Sequence, residues 1–203
     1  MELLQTTIVV TGQGFTPQLL GATTLQDVFP NAPSQVVSTP VLAVLEYPDG
    51  YQVFLLGERL DVKHISPAEG VDATMQAAVL QLMSFWPLIQ PNAVGINFQM
   101  GAAYDDDLTQ EGLLDRLTPR QNLEETFGNE LVGSKHSYVF REGDVKVTIK
   151  VTSDAMIAER AGYVVDINAH HQPVADLQQA VGSQTEWYGR ARSWAEGLIS
   201  NPW

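Results

Sequence analysis

The sequence predicts an α+β domain: a largely antiparallel sheet with helices on one face, built from two pseudo-repeated β-β-β-α units. Three observations carry this. Short β-rich runs alternate apolar and polar residues. Turn signals such as Pro48-Asp49-Gly50 join neighbouring runs as hairpins. Helical periodicity appears only after several strands, in 71–86 and 173–199, rather than after each one. The 203 residues suit a single domain, 1–203, with half-units 36–100 and 131–200 joined by an acidic segment, 101–130.

The first element is read from "TTIVVTGQGFTP", Thr6 to Pro17: a strand over Gln5 to Thr11 that ends in a glycine turn. Gly12 and Gly14 fit two places of a dinucleotide fingerprint, but the third falls on Pro17. The "QDVFPNAPSQVVSTP" that follows holds no second buried parallel strand, and no lysine follows the glycines to grip a phosphate. Val41 to Tyr47 and Tyr51 to Leu56 form a hairpin on Asp49-Gly50, and Leu60, Val62 and His64 alternate with Asp61 and Lys63 in a third strand. Ser66-Pro67-Ala68-Glu69 reads as a capped helix start, with Val71, Met75, Ala78, Val79, Leu82 and Trp86 at helical spacing. Pro87 and Pro91 end that helix, and "AVGINFQM", Ala93 to Met100, is a strand.

Beyond it, 101–130 predicts short surface helices docked through Leu113, Leu114 and Leu117. Asp105, Asp106 and Asp107 lack the glycine spacing of a calcium loop and read as a solvated turn. "SYVFREGDVKVTIKV" is a hairpin turned on Glu142-Gly143, and "GYVVDINAHH" is an alternating strand. A long amphipathic helix then runs from Pro173 to Ile199.

The two halves echo each other. "LDVKHISP" from Leu60 and "VDINAHHQP" from Val165 share an apolar-Asp-apolar-polar order, then histidine and proline, then a helix. The matching elements are the N-terminal strand, "DGYQVFLLGERLDVKH", "FWPLI", "AVGINFQM", "YVVDINAHHQP" and "WAEGLI". Their order resembles a sporadically distributed family of bacterial and phage-associated proteins with no established activity. That resemblance implies a fold and a setting in phage–host conflict, and no chemistry.

Charge narrows the function classes. Eleven Lys and Arg against 24 Asp and Glu leave a net −13, which disfavours a broad nucleic-acid footprint and an anionic membrane surface. No apolar run is long enough to span a bilayer, and the first residues lack the basic start of a secretory signal, so a cytoplasmic location is expected. Cysteine is absent, removing disulfides and thiolate chemistry.

No catalytic motif, metal set or cofactor site is expected. The preferred reading is a non-enzymatic binding or regulatory protein, an inhibitor or antidote. It would meet a basic protein surface through Asp105, Asp106, Asp107, Tyr104 and Trp203, with homo-oligomerisation possible. A second reading is a small-molecule module or hydrolase-like enzyme with a pocket between sheet and helices. There His64 and His170 would meet across a pseudo-twofold, with Asp61 and Asp166 as an acid–base pair. A third is a chaperone-like protein offering an apolar sheet face.

Overall fold

The protein, seen in a computed structural model, is described over residues 1–20, 28–67, 70–71 and 73–200. Nine strands form one sheet in which every pairing is antiparallel. In chain order they are β1 (Glu2–Thr11), β2 (Gln35–Ser38), β3 (Leu42–Glu46), β4 (Tyr51–Leu56), β5 (Arg59–Ile65), β6 (Ala93–Ala103), β7 (Lys135–Glu142), β8 (Val145–Ile157) and β9 (Arg160–His171). The helices are α1 (Ala73–Ser84), α2 (Gln110–Leu117), α3 (Arg120–Phe127), α4 (Leu177–Gly182) and α5 (Gln184–Ser200).

The strand order, β2-β3-β4-β5-β1-β6-β9-β8-β7, is symmetric about the β1–β6 pair except for the extra edge strand β2. On each side the meander's last strand, β5 or β9, pairs with the strand that opened the half, β1 or β6. The register carries the symmetry to single residues. Lys63, Thr7, Asn97 and Asn168 lie in one cross-strand row. Lys63 and Asn168 are the residues that coincide when "LDVK" is laid on "VDIN". A local twofold therefore passes between Thr7 and Asn97. Strand β6, at the end of the first half in the sequence reading, opens the second meander.

Strand alternation separates the faces. Ile8, Val10, Leu60, Val62, Ile96, Phe98, Val165 and Ile167 are buried on one side, beneath α1, α4 and α5. Leu113 of α2 joins this core, and Leu114 is buried beside it. The neighbours Thr7, Asn97, Gln99, Asp166 and Asn168 point the other way, where no helix packs among the described residues.

The long final helix of the sequence reading is two helices. The chain breaks at Ser183, whose hydroxyl donates to the Ala180 carbonyl, next to Gly182. Such a Gly-Ser pair interrupts a helix because one residue adds freedom and the other competes for backbone acceptors. The break seats Gln184 in the core, fully buried, where its amide donates to Thr6 Oγ1 at 3.1 Å. Short edge strand β2 lies in "SQVVS", which alternates too briefly to announce a strand. Helix α1 begins at Ala73. Ala68 and Glu69 of the expected capped start lie outside the described residues, as does Trp203. Among the described residues no helix is long and apolar enough to cross a membrane.

Candidate functional site

The glycine turn after β1 is committed internally. The amides of Gly14 and Phe15 both donate to the Gly57 carbonyl, and Gly12 donates to Glu58. Strand β1 also has antiparallel neighbours on both sides, so this segment is not the first strand of a βαβ unit.

The two histidines expected to converge do not. His64 lies on the helix side of β5, its ring 4.1 Å from that of Tyr51, with Nδ1 buried and unpartnered. His170 lies on the opposite face of β9, in register with Gly95 and Lys146. The cause is a single residue of offset. When Asp61 is laid on Asp166, His64 falls on Ala169, and a one-residue shift in a strand reverses the face.

Asp61 and Asp166 do share the uncovered face, but they stand on β5 and β9, with β1 and β6 between. Three strand spacings, together with a four-residue offset along the strands, put their backbones roughly 20 Å apart, too far to share a proton. Asp61 accepts instead from Arg59 at 2.6 Å, and Asp166 accepts from Gln99 at 2.9 Å. No cluster of three or more metal-ligating side chains occurs among the described residues.

His171, adjacent to His170, faces the core and meets Trp187 edge-on at 6.0 Å. Burial, and secondarily the neighbouring His170, lowers its pKa from the usual 6.5. The unfolded chain therefore takes up this proton first as pH falls, so the stabilisation is complete above pH 6.5 and is lost progressively below it. Thermal midpoints measured across pH should be level near neutrality and decline below about 6.5, and His171→Leu should flatten that decline.

The acidic turn divides into roles. Asp105 Oδ1 accepts from the backbone amides of Asp107 and Leu108, so its side chain closes the turn. Asp106 and Asp107 are exposed. Tyr104 is half-buried, donates to the Ser153 carbonyl at 2.5 Å, and has its pKa pushed up to about 12, chiefly by burial. It therefore braces the end of β6 rather than offering a free aromatic.

The uncovered face of the sheet forms an organised polar surface. A shallow trough of about 560 Å³ lies over its central strands. Three cross-strand rows compose it. The first runs Lys63, Thr7, Asn97, Asn168, Thr148. The second runs Ile65, Gln5, Gln99, Asp166, Lys150. The third runs Asp61, Val9, Gly95, His170, Lys146, Arg141. The Asn168 side-chain amide donates to Asn97 Oδ1 at 2.5 Å, while Gln5 donates to Thr7 Oγ1 at 3.2 Å, which orients the floor. Gly95 keeps the third row low: a Cβ there would lie 3.3 Å from the Asn168 amide.

Charge is segregated onto this face. All four lysines of the chain, Lys63, Lys135, Lys146 and Lys150, stand on it with Arg59 and Arg141. Among the described residues, only Arg59 of these six has a carboxylate within ion-pair distance. Arg120, Arg190 and Arg192, on the helices, are all paired with acids. A chain of net −13 thus gathers all its lysines on one surface, with Asp61 and Asp166 interspersed and Asp166 directly opposite Lys150. Sequence reasoning passed over these residues because each reads singly as the wet side of a strand; the available signal was that every lysine falls at a strand's polar parity. The floor is hydroxyl and amide, so it is not the apolar face that a chaperone-like reading requires. No family model matches this chain, and no curated protein matches it.

Proposed function

We propose that this is a non-enzymatic recognition protein whose uncovered sheet face is its binding surface. The observation that carries the reading is the segregation of all four lysines onto the one face that no described helix covers, in a strongly acidic chain. Oriented amides beneath those lysines supply donors and acceptors for specificity, while the unpaired ammonium groups supply attraction. The separation of Asp61 from Asp166, and of His64 from His170, disfavours acid–base chemistry on the same scaffold. A regulatory role in phage–host conflict is the setting that the family resemblance implies.

A second reading places recognition on the acidic segment 101–130, which carries eight carboxylates against Arg116 and Arg120 and would cover a basic partner. Capture from native host lysate separates the two. With the open face as the surface, a partner retained by the wild type is lost with K146E/K150E and kept with D105N/D106N/D107N. The reverse pattern moves the surface to the acidic turn, and a partner kept by both variants removes both readings.

A further inference from the structure

We infer that the open face binds an acidic polypeptide segment in extended conformation, laid across the strands from the Arg59–Lys63 end to the Lys146–Lys150 end. This assignment rests on the reading of that face as the binding surface and names its occupant.

The spacing comes first. The two cationic groups stand on β5 and β8, four strand spacings apart in the sheet order. At the usual interstrand distance that is about 19 Å, the length of roughly six extended residues. A peptide with carboxylates about six residues apart therefore reaches both ends at once. Its main chain crosses the Thr7, Asn97, Asn168 and Thr148 row, whose amide and hydroxyl groups match peptide N–H and C=O in kind.

The uncompensated charge comes second. Arg141 and Lys146 are directly opposite each other on β7 and β8. Like charges in that position are destabilising, and neither has a carboxylate within ion-pair distance among the described residues. Protection of a sheet edge accounts for cations on β7 but not on β8, an interior strand. An incoming carboxylate relieves the repulsion.

The trough also disfavours other anions. Among the described residues its floor presents no phenyl or indole ring on which a base could stack: Phe98 turns its ring to the core, the His170 imidazole at the margin is hydrogen-bonded to Gln172, and Phe54 on the next strand has Lys63 over it at 5.7 Å. Asp61 and Asp166 stand among the cations and would repel an unbroken run of phosphates, whereas a peptide can set a neutral side chain over each.

Fluorescence anisotropy tests this with a labelled peptide carrying two Glu-Glu pairs about six residues apart in a Ser-Gly background. A matching Lys-Lys peptide, a single-stranded oligonucleotide and phosphatidylserine vesicles are the comparisons. The expected result is saturable binding of the glutamate peptide alone, weakened with salt and weakened about tenfold or more by K63E/K150E. R192E on the helix face should leave it unchanged. If K63E/K150E loses its circular dichroism signature, K63Q/K150Q gives the same readout without charge reversal. Absence of peptide binding, or equal binding by the open-face variant, overturns the inference. An oligonucleotide or vesicle bound in a Lys63- and Lys150-dependent way also overturns it while leaving the open-face reading intact. That reading falls separately, if K146E/K150E still captures the host partner.

Discussion

Phe98→Ala should lower the thermal midpoint by roughly 10 °C while leaving the uncovered face able to bind. Phe98 sits in the middle of β6, is 1% exposed, and packs its ring 5.6 Å from that of Tyr188 on α5. Truncating a buried phenylalanine removes its transfer free energy and leaves a cavity, about 3–5 kcal/mol together. In a chain of this size each kcal/mol moves the midpoint by about 2–4 °C. The residues on either side, Asn97 and Gln99, project to the opposite face. Calorimetry should therefore report the loss, and anisotropy well below the new midpoint should report unchanged peptide affinity. A loss of affinity matching the loss of stability would mean that the two faces are not independent.

Gly162→Ala should be nearly as damaging for the opposite reason. It adds an atom where the sheet has no room: a Cβ would lie 2.4 Å from the Ala102 carbonyl oxygen and 2.9 Å from Ile157 Cγ1. The first contact is with backbone inside the β6–β9 ladder, so relief requires separating two strands rather than rotating a side chain. Overpacking of this kind costs about 1–3 kcal/mol, and a clash with backbone belongs at the upper end. The expected fall in midpoint is roughly 6–12 °C, with faster amide exchange at the β8–β9 turn. Gly95→Ala is the matched comparison. Its nearest contact is the end of the Asn168 side chain at 3.3 Å, so it should cost far less stability while disturbing the Asn97–Asn168 pair on the trough floor.

Much of the architecture was legible because it is local. The β3–β4 turn carries Gly50 at a φ of 83°, and the β7–β8 turn carries Gly143 at 57°, a region that favours glycine. Both hairpins could thus be placed from dipeptides alone. Leu113 and Leu114 announced the docking of α2 by their spacing, and Thr109 caps that helix by accepting from Gly112. The break at Ser183 was missed because the apolar stripe continues through it; burial of Gln184 against Thr6, a contact between the chain's two ends, decides it. Strand β2 owes its place to pairing with β3, since none of its four residues is buried.

The candidate site divides in the same way. The polar parity of β1, β5, β6, β8 and β9 could be read from alternation, and with it the fact that Lys63, Lys146 and Lys150 face away from a core. Which polar residues become neighbours could not. Alternation repeats every two residues and holds no information about which strand lies alongside or in what register. Pairing of β1 with β6 joins the halves into one sheet and sets Thr7 against Asn97, and that non-local choice brings the cations into a single field. The one-residue offset between the two segments, by contrast, puts His64 and His170 on opposite faces, where similarity of sequence suggests a meeting point. By itself the sequence determined the strands, their turns and which side of each is wet, because those follow from backbone geometry and the burial of apolar side chains over a few residues. Only the tertiary structure decided the surface those wet sides form, because strand order and register are fixed by packing between segments far apart in the chain.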